Sequence, residues 1–225
     1  MKSKRIRGGW IWVFLPVILM LVGSNIAWGI FFAVMKDPAE AGMETFRTGP
    51  LIWSLLQVIL FFIAIGGLKS MGISFFRIAG FRREYLLDDL KKAIPLAIAG
   101  VLLILFITHA IGSLIPDGDG GPEFYPWALV WWTTAGSITA GVGEEAYFRG
   151  FLMERLSWMN NRWLILITAI SFALWHVNPL LFPHTFLIGT VFGYLYLRWK
   201  RLFPLILSHV FMNMMGGILM MMGIS

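Results

Sequence analysis

Long apolar runs dominate this chain, and they limit it to folds in which the backbone satisfies its own polar groups without water. The runs lie near residues 10–34, 50–68, 93–115, 126–152, 163–181, 184–197 and 202–223. At helical rise, about 20 residues span a hydrocarbon core of about 30 Å. The pattern therefore predicts an all-α, polytopic transmembrane helical bundle of about seven spans. The sixth run, 184–197, is the weakest and fits a short or re-entrant helix. Composition agrees: 58% of residues are apolar and only 13% charged, against about 25% charged in a soluble domain. One membrane domain, residues 1–225, accounts for the length.

The net charge of +6 and the pI near 9.8 read as topology signals rather than as a nucleic-acid footprint. With the N-terminus in the cytoplasm, all Lys and Arg residues except Lys36 and Arg47 fall on the inside, from Lys2, Lys4, Arg5 and Arg7 to Arg198, Lys200 and Arg201. That asymmetry supports seven crossings with the C-terminus outside. A signal peptide is the competing reading of Lys2 to Trp28. The apolar run instead reaches Val34, well past a signal core of about 7–15 residues, so a retained anchor is expected. Zero cysteines exclude disulfides, thiolate metal sites and a cysteine nucleophile.

Between Lys69 and Lys92, aromatic and basic residues alternate with short apolar stretches, which predicts an interfacial helix lying on the bilayer. The stretch from Pro116 to Pro122 lacks the spaced ligands and terminal Glu of an EF-hand and reads as a flexible acidic turn.

Against this apolar background, ionisable groups inside the runs demand a reason, since a charge at the centre of a membrane helix costs about 2.5–3.5 kcal/mol. Three fragments carry them: Glu144 to Arg149, Phe172 to His176, and His209 to Asn213. His209 and Asn213 stand four apart and share one helix face, as do Phe172 and His176, where the ring can pack beneath the imidazole. Glu144 and Glu145 differ by about 100° around their helix and cannot perform the same task. Glu145 precedes Arg149 by four, the favoured order for an intrahelical ion pair, leaving Glu144 as the freer carboxylate and the candidate general base. Counted inward from Arg155, Arg162 and Arg201, Glu144, His176 and His209 lie roughly 17, 21 and 12 Å deep. The site is expected between the fourth, fifth and seventh spans. The small residues from Thr134 to Gly143 would permit close helix approach or a water-filled recess.

The ordered set EExxxR, FxxxH and HxxxN on separate apolar helices resembles the CPBP intramembrane proteases, which include type II CAAX prenyl endopeptidases and bacterial Abi proteins. The resemblance covers residues 126–225, with the first three spans adding only general membrane character. It implies an intramembrane endopeptidase acting on membrane-associated protein substrates, CAAX-like or other small ones. The implied roles are Glu144 as the base activating water, His176 assisting, and His209 with Asn213 polarising the carbonyl or stabilising the oxyanion. Glu145, Arg149 and Phe172 support them. No cofactor is required in this reading. Zinc-dependent hydrolysis at Glu144, His176 and His209 is the alternative, disfavoured because no His-Glu-x-x-His helix is present. A non-proteolytic immunity or scaffold protein also fits such a bundle, and so does a transport protein, because buried glutamate and histidine pairs line transport pathways too. The expected partners are the lipid bilayer and a peptide or membrane-protein substrate, without nucleic acid. The expected location is the plasma membrane of a prokaryote.

All five aspartates fall in expected loops, which excludes an intramembrane aspartyl dyad, and Ser137 lacks the flanking glycines of rhomboid proteases. His109 is expected to be hydrogen-bonded within the bundle and His184 to be interfacial. Asn178 is expected to cap a helix break or touch substrate. Trp131, Trp132, Trp163, Trp175 and Trp199 read as packing or interface anchors.

Overall fold

The computed structural model describes residues 9–112 and 124–223. Among these the regular structure is helical, without strands. The elements are α1 (Ile11–Met35), α2 (Pro38–Arg47), α3 (Gly49–Ser70), α4 (Phe75–Ala79), α5 (Leu86–Gly112), α6 (Pro126–Trp131), α7 (Ser137–Glu145), α8 (Met153–Arg155), α9 (Asn161–Trp175), α10 (Phe182–Trp199) and α11 (Phe203–Met221). Helices α6, α7 and α8 form one run, joined by π-helical Trp132–Gly136 and Ala146–Leu152.

Among the described residues four stretches are long and apolar enough to cross a membrane: Ile11–Met35, Gly49–Ser70, Phe75–Ala110 and Phe203–Met221. Helix α9 is apolar but shorter. The expected sixth run is longer than its apolar pattern suggested, because α10 extends over 18 residues from Phe182 to Trp199. Outward faces carry the lipid-type surface: Leu55, Phe62, Leu102 and Phe106 are exposed, and α1 buries only Val13, Pro16 and Met20. Inside, α7 packs between α3 and α11, α5 lies against α11, and α9 packs against α10, α1 and the π-helical Ala146–Leu152.

Glycines set the closest approaches. A Cβ at Gly143 would lie 2.5 Å from the Gln57 carbonyl oxygen on α3, and one at Gly141 would lie 3.1 Å from the Ile206 carbonyl oxygen on α11. Helix α7 is thus gripped from two sides across positions that tolerate no side chain, so the small residues serve close packing. This grip brings Gln57 and His209 up to the glutamates.

The segment from Lys69 to Lys92 departs from expectation. Instead of one interfacial helix it holds the five-residue α4, a 3-10 turn at Arg83–Tyr85 and the first turns of α5. Tertiary contacts organise it: Leu202 N–H donates to the Ile78 carbonyl at 3.0 Å, and Arg201 donates to the Gly80 carbonyl and, at 2.6 Å, to Asp89. Asp88 and Asp89 therefore sit in the first turn of α5 rather than in a loop. Helix α2 has no counterpart among the apolar runs. Its start is written locally, with Asp37 accepting from Ala39 and Glu40 N–H and Pro38 in the first turn. His109 is exposed on α5 rather than held inside the bundle. The acidic stretch from Pro116 to Pro122 lies outside the described residues.

Gly143→Ala is expected to lower the thermal unfolding midpoint in detergent by several degrees, since overpacking costs about 1–3 kcal/mol. Gly193→Ala, whose Cβ would meet its nearest neighbour at 3.6 Å, should leave the midpoint unchanged or raise it.

Candidate active site

Helix α7 ends on Glu144 and Glu145, and the π-helical turn that follows carries Arg149. Single π turns inside α-helices recur at functional sites, where they re-aim side chains. All three residues are buried, Glu145 completely. Arg149 donates to Glu145 Oε1 at 2.9 Å, the pair expected from the spacing. The same oxygen also receives His209 Nδ1 from α11 at 2.8 Å. Because a carboxylate oxygen only accepts, Nδ1 carries the proton in that bond, which leaves His209 Nε2 to face Glu144 Oε2 at 3.8 Å.

Glu144 is held by its other oxygen. Gln57 Nε2 and Trp175 Nε1 donate to Oε1 at 3.0 and 3.1 Å, and Thr139 in turn donates to Gln57 Oε1 at 3.0 Å. Oε2 has no hydrogen-bond partner among the described residues. Two neutral donors thus orient the carboxylate without a counter-charge of its own.

Phe172 occupies the centre of the aromatic support. Its ring lies edge-on to His176 at 5.1 Å and to His209 at 6.1 Å, while the Arg149 guanidinium sits over it at 4.4 Å. Arg149 also lies 5.4 Å from the Phe192 ring centroid and donates to the Gly189 carbonyl, tying α10 to the cluster. His176 stands at the C-terminal cap of α9 rather than within the helix, with Nδ1 donating to the Phe172 carbonyl at 2.9 Å and Nε2 left over. The next residue, Val177, adopts φ +52°, a left-handed conformation costly for a β-branched side chain. That reversal turns the chain out of α9 immediately beyond the imidazole. Asn178 then accepts from Leu180 N–H at 2.9 Å, the local capping bond anticipated for a helix break.

A cavity of about 290 Å3 joins these groups. Glu144, Phe172, His176, His209 and Asn213 all line it, so the three fragments open on one space; Glu145 and Arg149 stand behind it. Asn213 is half-buried beside an adjoining apolar cavity lined by α5 and α11. Three further lining residues escaped the sequence reading. Gln57 contradicts the view that the first three spans add only membrane character, and its amide in an apolar run was the available signal. Trp175 bonds Glu144 rather than serving as a simple anchor. His184 is buried at 6% exposure rather than interfacial.

Among the described residues no group of three His, Asp or Glu is arranged to hold a metal ion. The Nδ1 atoms of His176 and His209 are both committed to protein acceptors, which orients each ring and leaves its Nε2 as the remaining nitrogen.

Residues 126–215 match the family model of the type II CAAX prenyl endopeptidases, Rce1-like. Over this C-terminal stretch the chain is similar to that protease family. No curated protein and no solved structure matches it. Within the Rce1-like match lie all three polar fragments, whereas Gln57 comes from outside it.

Arg149→Met is expected to destabilise the protein by about 3–5 kcal/mol, because it leaves a buried carboxylate uncompensated. Adding Glu145→Gln should recover a large part of that loss, as read by unfolding in detergent.

Proposed function

We propose that this protein is an intramembrane endopeptidase in which Glu144 activates water without a metal. The observation that carries the reading is the free Glu144 Oε2, facing His209 Nε2 at 3.8 Å beside the cavity that Asn213 and His176 also line. Water between these groups gives a proton to Glu144 Oε2 as its oxygen attacks the scissile carbonyl carbon. Asn213 stabilises the oxyanion together with His209 in its imidazolium form, whose Nδ1–H stays on Glu145 while Nε2–H donates. Collapse of the tetrahedral intermediate breaks the carbon–nitrogen bond, and Glu144 returns its proton to the leaving amine. His176 assists through Nε2.

The surrounding topology is seven spans with the N-terminus in the cytoplasm, and the peptide bond is cut at mid-membrane depth. Substrates are membrane-associated peptides or proteins, CAAX-like or other small ones, in the plasma membrane of a prokaryote. The convergence of the polar fragments supports proteolysis over a scaffold or transport role.

Cleavage of a membrane-peptide substrate by purified protein in proteoliposomes tests this. Glu144→Gln should lose at least about 100-fold in kcat while retaining the wild-type unfolding profile, and His209→Ala should lose as much with a lower unfolding midpoint, since it removes a buried donor to Glu145. Full activity in folded Glu144→Gln protein would refute the mechanism. Gln57→Leu, which removes one neutral donor worth about 1 kcal/mol, should lower kcat several-fold with KM little changed. Exhaustive chelation should leave activity intact; stoichiometric zinc whose removal abolishes cleavage would overturn the metal-free assignment.

A further inference from the structure

The cavity extends from Glu144 in one direction along the bundle. On α9 and α11 its lining begins at Phe172 and His209 and continues toward the C-terminal ends, to His176 and Asn213. On α3 and α10 it lies toward the N-terminal ends, from Trp53 to Gln57 and from His184 to Ile188. In the seven-span arrangement α3 and α10 descend where α9 and α11 rise, so both sets point to the same end. Helix α1 agrees: its lining residues are Met20 and Ser24, two to three turns beyond the Trp12 and Val13 carbonyls that accept from Tyr147 and Ser171.

The opposite direction is closed. Leu60 and Leu68 of α3, Leu152 and Leu156 beyond the glutamates, Tyr196 of α10 and Leu205 of α11 are each at most 1% exposed. From Glu144 to Leu156 this packed layer is about 18 Å deep at helical rise. Interiors packed to this degree leave few voids larger than a water molecule, so neither a peptide nor a file of water passes. Hydrolysis consumes both, and both must come from the open end.

Basic residues say which end that is. The closed end carries Arg155, Arg162, Arg198, Lys200 and Arg201, whereas among the described residues the open end has Asp37, Glu40 and Glu44 with Lys36 and Arg47. Excess Lys and Arg mark the cytoplasmic side. An adjoining cavity of about 300 Å3 continues outward along Leu105 and Thr108 of α5 and Leu219 and Met220 of α11, which keeps the route apolar. We propose that the active site is entered from the extracytoplasmic half of the bilayer and takes apolar peptide segments presented from that leaflet. The substrate in this proposal rests on the proteolytic reading; the side of access is a property of the fold alone.

The sequence holds no cysteine, so single cysteines report access without background. Ser24→Cys and Leu181→Cys place thiols on the cavity wall, Glu40→Cys marks the open end and Ser70→Cys the closed end. A small, charged, membrane-impermeant methanethiosulfonate is added to right-side-out and to inverted membrane vesicles carrying the full-length protein. Both cavity thiols should react about tenfold faster in right-side-out vesicles, as Glu40→Cys does, and Ser70→Cys should show the reverse. Modification of Ser24→Cys from that side should also lower cleavage of a membrane-peptide substrate about tenfold, with the cysteine-free protein unaffected. Faster reaction of the cavity thiols in inverted vesicles would overturn the proposal, as would reaction from neither side when detergent-unfolded protein reacts fully. Reaction of Ser70→Cys from the right-side-out face would overturn it too, since the open end would then face the cytoplasm. Complete modification of Ser24→Cys with undiminished cleavage would overturn the substrate route. Absence of cleavage by every form would refute the hydrolytic reading and leave the thiol comparison intact.

Discussion

One carboxylate oxygen holds the buried centre together. Glu145 Oε1 accepts from Arg149 on its own helical run and from His209 on α11, at 2.9 and 2.8 Å. In hydrocarbon no water is available to satisfy these groups, so each must find its partner within the protein. Arg149 extends the tie through the rings of Phe172 and Phe192 and the Gly189 carbonyl, reaching α9 and α10. Four helical segments are thereby fixed around one ion pair. The orientation of His209, and with it the face shown to Glu144, follows from that shared oxygen.

Backbone proximity makes the arrangement possible. Gly141 and Gly143 leave α7 bare on the sides that meet α11 and α3, and the neighbouring chains approach to distances that a methyl group would forbid. Polar reach is short, about 3 Å for a hydrogen bond, so such approach is a precondition for Gln57 and His209 to act on adjacent glutamates. Packing and electrostatics are here the same design element.

Helical periodicity made part of this legible. The spacing of Glu145 and Arg149 gave their pairing, and that of Phe172 and His176 gave the ring contact. What crosses between helices was not legible. The bond from His209 to Glu145 depends on the rotation of α11 about its axis, and that of Gln57 to Glu144 on the height of α3 beside α7; neither quantity is encoded in residue spacing. The segment from Lys69 to Lys92 misled for a related reason. Its course is set by Arg201, distant in sequence, whose bonds to Gly80 and Asp89 outweigh an amphipathic pattern.

The two oxygens of Glu144 live in different surroundings. Oε1 is saturated by an indole and an amide, and Oε2 has no such donors. A carboxylate in water is symmetric and rotates freely, so a captured proton can appear on either oxygen and escape. Here the two donors lock the group and occupy one side only, leaving the other oxygen as the open acceptor. In the proposed mechanism a proton taken up at Oε2 has no second lodging on the carboxylate and is kept for the leaving amine.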